Sequence, residues 1–257
     1  MCGRYTLFAD DAELVKLFDI DVVEGEHEPS YNQAPSQLVR SVRQKSDGAR
    51  QLGLMSWGLV PFWAKESFKP LINARAETVT DKPSFRKAVS RRRCLLPTNG
   101  YYEWQVGEDG RKQPYFLSLA TPDGEPAPLG AEPTMAMAGI FDWPVRRSEE
   151  RDEEADEESG EERPRDPSTC AIITREAVDT AGEIHPRMPL FIPRSDWALW
   201  LDPMFEDPSE LQSLINSIPP APMAPRMVAP AVGNVRNNSP QLIAPYDPNQ
   251  GMLPGLG

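Results

Sequence analysis

Apolar residues first fall into a helical rhythm near the start of the chain, where Leu14, Leu17 and Phe18 follow two acids. Asp10 or Asp11 is placed to cap this helix, which is predicted to run through Phe18. Residues 24–36 are polar and contain proline, which predicts a loop. Residues 36–42 and 51–57 alternate as strands do and are joined by a polar turn. The next stretch, GLVPFW at 58–63, breaks that pattern: Pro61 has no N–H to give a ladder, so the chain should leave the sheet and display its aromatics on a loop. KPLINARAE at 69–77 reads as loop, and residues 83–92 as a short basic helix. From Cys94 onward four strand-like runs follow, RCLLP, YYEWQV, QPYFLSLA and TMAMAGIFDW, separated by Gly, Asp and Pro. Strand signals resume at TCAIIT, residues 169–174. Helices are predicted over 195–201 and 208–217, the second opened by Pro208. The remainder is Pro-rich, with one strand expected near 227–232.

Composition changes this picture at one place. Residues 146–166 are a charged, low-complexity run with almost nothing apolar, and cannot bury enough surface to offset the entropy of ordering. Disorder is expected there. Because strands stand on both sides, the run interrupts one domain and does not separate two. A chain of 257 residues that is 39% hydrophobic suffices for one sizeable core, while 28 prolines and a mean hydropathy of −0.50 point to long loops. No apolar run approaches membrane-spanning length, and residues 1–20 carry acids where a secretory signal needs a basic start. A soluble, cytoplasmic protein without membrane contact is therefore expected. Cys2, Cys94 and Cys170 are odd in number, far apart and without a C-x-x-C pair, which argues against a disulfide framework or a cysteine zinc site.

The net charge of −12 is unevenly placed. Residues 149–162 hold ten acids against Arg151, a block of −9. Residues 40–93 hold thirteen Lys and Arg against four acids, a segment of +9. A basic segment of this kind suits phosphate, although a solvated face would look the same.

Four short motifs carry candidate chemistry. Without Met1, Cys2 would present two nucleophiles on adjacent carbons, an α-amine of pKa about 7.7–8.0 and a thiol near 8.5. An aldehyde can condense with the amine to an imine, and the sulfur can then close a five-membered thiazolidine. In Asn73-Ala74-Arg75-Ala76-Glu77 the polar side chains share one direction if the segment is extended. Asn73 offers a neutral donor and acceptor, and Arg75 a fork for phosphate; an ordinary loop would use the same residues. Glu103 stands among Tyr101, Tyr102 and Trp104, where apolar neighbours would raise its pKa and suit it to act as a general acid. His185, between Ile184 and Pro186 and followed by Arg187-Met188-Pro189, has a ring held by a stiff backbone, whether as catalyst or as structural residue. No second histidine or cysteine lies at ligand spacing, so neither a metal nor a cofactor is expected. Trp57, Trp63 and Trp104 are candidates for stacking on bases, with burial as the competing fate.

Together, MCGRY at the start, WGLVPFW, NARAE, GYYEW, HPRMP and the late VGNVRNN resemble the SOS-response-associated peptidase family, also called abasic-site processing proteins. The resemblance implies a single α+β domain over residues 2–245 with a strand-rich, barrel-like core and short peripheral helices, and a loose tail at 246–257. It implies capture of abasic sites in single-stranded DNA, with Cys2 as nucleophile, Asn73 and Glu103 as its partners and His185 as a proton shuttle. Arg4, Arg75 and Arg187 would hold phosphates or the sugar, with Trp63 and Trp104 against the bases, in a protein acting as a monomer. Lyase and autoproteolytic activities belong to the same implication. The acidic run is not part of the family pattern. Two other classes fit the residues: an amide hydrolase built on Cys2, His185 and Asn73, and a catalytically silent single-strand binder.

Overall fold

The computed structural model describes residues 2–65, 67–143 and 168–249, together with the backbone of Gly251–Met252. In chain order the elements that position the site are β1 (Tyr5–Leu7), α1 (Asp11–Phe18), β2 (Val22–Val23), β3 (Ser30–Gln33), β4 (Leu38–Gln44), β5 (Arg50–Trp57), β6 (Asn73–Arg75), α2 (Arg86–Arg91) and β7 (Arg93–Thr98). They continue with β8 (Gly100–Val106), β9 (Lys112–Leu119), β10 (Met135–Asp142), β11 (Thr169–Glu176), α3 (Asp179–Ile184), β12 (Arg187–Pro189), α4 (Trp197–Leu201), α5 (Pro208–Ser217) and β13 (Met223–Met227).

Two sheets share the core. The smaller runs β13-β9-β8-β1-β3, and the larger β12-β11-β10-β7-β4-β5-β2. Every residue of β7 and β10 is buried, as expected of central strands written as apolar runs. β11 organises the larger sheet because both of its edges are used twice. One edge pairs with β10 and then β12, the other with β5 and then β6. Its parallel pairing with β5, Thr169 to Ser56 and Cys170 to Trp57, curls β10-β7-β4-β5 back on itself. The result is the expected α+β fold with a strand-rich core, ring-like but short of a closed barrel.

The helices behave as their sequences dictate. Asp10 accepts from the Glu13 N–H at 2.8 Å while Glu13 accepts from the Asp10 N–H at 3.1 Å, a reciprocal cap that starts α1. Leu14 and Phe18 point inward, and Phe18 stacks on Trp197 at 4.4 Å. Asp207 caps α5 by accepting from the Ser209 and Glu210 N–H groups, with Pro208 in the first turn where its missing N–H costs nothing.

The structure departs from the predicted elements in three stretches, and adds β1, β2, α3 and β12 where none was predicted. Residues 24–36 contain β3, which pairs with β1 and so is fixed by a partner, not by its own alternation. Residues 69–77 contain β6 followed by a 3-10 turn at Ala76–Thr78. The late strand lies at Met223–Met227, before the predicted position, because Pro230 opens a 3-10 turn instead. The acidic run at 146–166 lies outside the described residues.

Candidate functional site

Cys2 is fully buried in the main core. Its Sγ–H reaches the Arg4 carbonyl only at 4.0 Å, while its own backbone is held firmly: Asn73 Nδ2 donates to the Cys2 carbonyl at 2.8 Å. Asn73 can do this because β6 runs parallel to β11, with Asn73 opposite Ile172, which fixes the side chain at the sheet end nearest the N-terminus. Asn73 Oδ1 is buried and has no partner among the described residues.

Glu103 arrives from the other sheet. β1 pairs with β8 through Tyr5 and Tyr101, and Tyr102 N–H donates to Arg4 O at 2.9 Å, so the N-terminal residues and Glu103 are carried on adjacent strands. Side chains alternate along β8. Tyr101 therefore shares the core that holds Cys2, whereas Tyr102 and Trp104 turn away into a second cluster with Phe116 and Val228. The carboxyl is thus desolvated by the Cys2 side of the strand and not by the aromatic residues adjacent to it in sequence. Only 6% of the Glu103 side chain is exposed, and burial raises its pKa above the ordinary carboxylate value, with the neighbouring His185 opposing the rise. The Cys2 thiol is pushed up as well, first by burial and then by the charge of Glu103. In the resting protein the sulfur is a protonated thiol.

His185 closes α3 in extended conformation, with Nδ1 3.7 Å from Glu103 Oε1. Arg187 N–H donates to the same Nδ1 at 3.1 Å, and Gln105 on β8 donates to the Glu183 carbonyl at 3.1 Å, so the imidazole is set by both its own turn and the strand that carries Glu103. The four residues singled out for catalysis, Cys2, Asn73, Glu103 and His185, are brought to one place by four separate elements.

The arginines differ in their freedom. Arg187 grips Glu77 with two bonds of 2.7 and 3.0 Å and also donates to Thr174 O, which leaves its Nε–H buried without a partner among the described residues. That guanidinium holds the Glu77 carboxyl below its usual pKa. Arg4 donates through Nη1 to Asn32 Oδ1 and Val232 O, both at 2.7 Å. Asn32 in turn donates to the carbonyls of Val232, Asn234 and Asn237, which ties the N-terminal strand to the late VGNVRNN segment. Arg75 is exposed at the end of β6. Trp63 is 47% exposed, edge-on to Phe68, on a loop apart from Cys2. Trp57, by contrast, is a core residue whose indole donates to Ile72 O, so it is no stacking platform. Neither Asn32 nor the Glu77–Arg187 pair could be found in the sequence, because Asn32 joins Arg4, 28 residues away, to carbonyls 200 or more residues away, and the ion pair spans 110 residues.

No helix of the described residues is long and apolar enough to cross a membrane. The family model described as SOS response associated peptidase (SRAP) matches residues 1–235. Among named proteins, the chain is 35% identical to the abasic site processing protein YoqW of Bacillus subtilis (strain 168), over 95% of this chain and 99% of that one. It is 31% identical to the abasic site processing protein HMCES of Gallus gallus, over 87% of this chain and 68% of that one. Among solved structures, a protein from Bacteroides thetaiotaomicron matches with a TM-score of 0.67 at 24% identity, covering 98% of this chain and all of the other. A phage-related protein from Bordetella bronchiseptica matches with a TM-score of 0.63 at 22% identity, covering 88% and 94%. At these identities the two structures speak for the fold alone.

Proposed function

Because this chain belongs to the SOS response associated peptidase family, we propose that it senses abasic sites in single-stranded DNA and shields them by forming a covalent bond through Cys2 once Met1 is removed. It does so as a monomer in the cytoplasm, on damaged chromosomal DNA. The relatives' names as abasic site processing proteins support the substrate. The observation that carries the chemistry is the convergence of a buried thiol, a desolvated carboxyl, an imidazole and a backbone-holding amide around Cys2.

The α-amine of Cys2 adds to the C1′ aldehyde of the ring-opened sugar. Glu103, whose burial favours its protonated form, gives a proton to the departing hydroxyl, and water leaves an iminium. The Glu103 carboxylate then takes the proton of the Cys2 thiol, and the sulfur closes on the same carbon. One C–N bond and one C–S bond form, one water is lost, and Glu103 is restored. Asn73 holds the Cys2 backbone so that nitrogen and sulfur face one carbon. His185, beside Glu103, relays protons and serves the reverse reaction. Arg4, Arg75 and Arg187 bind phosphates, with Trp63 and Trp104 against the bases. If the sulfur fails to close, loss of the C2′ proton from the iminium expels the 3′ phosphate, which is the lyase branch. An amide hydrolase would need a donor free to meet its substrate's carbonyl. Asn73 Nδ2 is instead engaged by the chain's own Cys2 carbonyl.

Intact-mass spectrometry after mixing with an abasic single-stranded oligonucleotide tests the proposal. The expected species has the summed mass of the oligonucleotide and the Met1-free chain minus one water, is absent for Cys2→Ala, and appears for Cys2→Ser only after borohydride. An adduct on a chain that still carries Met1 would refute it. Retention of Met1 by Glu103→Gln, against its loss from the wild type, would assign that removal to the protein itself.

A further inference from the structure

Residues 82–93 carry six cations and no acid in a chain whose net charge is −12. The structure sorts those six by use. Arg93 is buried and spends its guanidinium on the carbonyls of Val89 and Trp200, which makes it a structural clamp. Arg91 is paired with Glu206, and Arg92 with the buried Asp142. Lys82, Arg86 and Lys87 are exposed and, among the described residues, enter no ion pair. They stand on and just before α2, whose Ala88 and Val89 face the core, so their charge is presented outward by the packing of the opposite face.

The surroundings give this surface a direction. α2 borders an open cleft of about 640 Å³, lined by Thr80, Arg86, Lys87, Ser90 and Arg91 among others. At one end, Thr80 donates to Gln212, and Gln212 donates to Ala76 O, the residue between Arg75 and Glu77. At the other end the Lys87 ammonium lies 4.9 Å from the centre of the Phe62 ring, next to the exposed Trp63. Beyond Trp63 a second shallow cleft carries Lys65 and Lys69. The α2 surface therefore bridges two points already assigned to DNA, Arg75 and Trp63, with cations between them and an aromatic pair at its far end. Asp81 at its margin is the one acid in the lining.

We propose that the exposed face of α2 is a track for the phosphate backbone of the single-stranded segment flanking the lesion, and that it gives the protein a preference for long single strands over short ones. The inference rests on the function proposed above, and adds a binding surface that contributes no group to the reaction at Cys2. Cations on this track release the counterions of the phosphates they neutralise, so its contribution is lost as salt rises. Its exposed aromatics accept bases of any sequence, which favours single strands over duplex.

The test compares wild type with Arg86→Glu/Lys87→Glu on abasic single strands of about 8 and about 30 nucleotides, lengths chosen against the usual span of a single-strand site. At low salt the wild type should bind and capture the long strand at least several-fold better than the short one. The double variant should lose that advantage, and its slope of log affinity against log salt for the long strand should be shallower by about 1.4, or about 0.7 for each lost phosphate contact. The charge-preserving Arg86→Lys/Lys87→Arg should keep both. A wild type without length preference, or a double variant that keeps it, overturns the track; so does an equal loss on both lengths, which would mean the fold or the reaction site was damaged. Binding is read by fluorescence anisotropy as well as by adduct yield. If no adduct forms but the long strand still binds with the expected slope, the covalent reading fails and the track stands.

Discussion

At the scale of single residues, Glu103 carries a conflict between stability and chemistry. Its desolvated carboxyl has a raised pKa, so the folded protein binds that proton more tightly than the unfolded chain does. A carboxyl with a folded pKa above its unfolded value near about 4.3 stabilises the fold in acid and loses that contribution as pH climbs through the folded value. Glu103→Gln keeps the shape without the titration. It should therefore melt higher than wild type at neutral and alkaline pH, with the difference shrinking in acid, while capturing abasic DNA about 10²–10⁴-fold more slowly. Calorimetric melting across pH together with single-turnover capture reads both arms; a variant less stable than wild type at neutral pH contradicts the assignment. A second conflict sits at Arg187, whose fork is filled by Glu77. A phosphate seeking that fork must displace a carboxylate held at 2.7 Å, so Glu77→Gln should bind single strands several-fold more tightly at low salt, an exposed ion pair being worth about 1 kcal/mol or less. Unchanged affinity in an anisotropy titration would mean that Arg187 stays with residue 77 in the complex.

At the scale of elements, the site depends on how closely β8 lies against β9. A Cβ built on Gly100 would stand 2.4 Å from a Phe116 ring carbon and 2.7 Å from the Leu117 carbonyl oxygen. The ring could turn, but the backbone oxygen belongs to the pairing of Tyr101 with Leu117 and cannot. Gly100→Ala should cost about 1–3 kcal/mol, as overpacking does, and because it shifts the strand bearing Glu103 it should slow capture as well. A denaturant titration with unchanged midpoint would refute this. The elements that the sequence revealed are those whose own residues contain the reason for them. α1 has its cap and apolar stripe, α5 its Asp207-Pro208 start, and β7 to β11 their long apolar runs. β6 and β12 were illegible because each is three residues long and exists only by pairing with β11. Candidate chemistry followed another rule. Cys2, Asn73, Glu103 and His185 could be named from motifs, but which face of β8 desolvates Glu103, and which carbonyl Asn73 holds, are facts of packing.

At the scale of the whole molecule, a chain of net charge −12 that binds a polyanion must rely on local fields, and its sequence keeps the opposing charge in one block. Residues 149–162 contribute −9, so without them the net charge would be −3. Charge acts over roughly a Debye length, about 10 Å at 0.1 M salt and about 30 Å at 0.01 M, so an acidic block repels DNA that comes within that range in dilute salt and is screened in concentrated salt. The +9 of residues 40–93 attracts over the same range, which makes the two segments opponents in association and leaves the reaction at Cys2 untouched. Replacing residues 149–162 with a neutral Gly/Ser stretch of equal length removes the charge and keeps the connection between β10 and β11. That variant should associate with single-stranded DNA about tenfold or more faster than wild type near 0.01 M salt, and at an equal rate near 1 M. Its adduct yield at saturating DNA should match wild type under both conditions. A difference in association rate that persists at high salt would show that the block acts by contact, and an absence of any difference at low salt would leave the block a determinant of solubility alone.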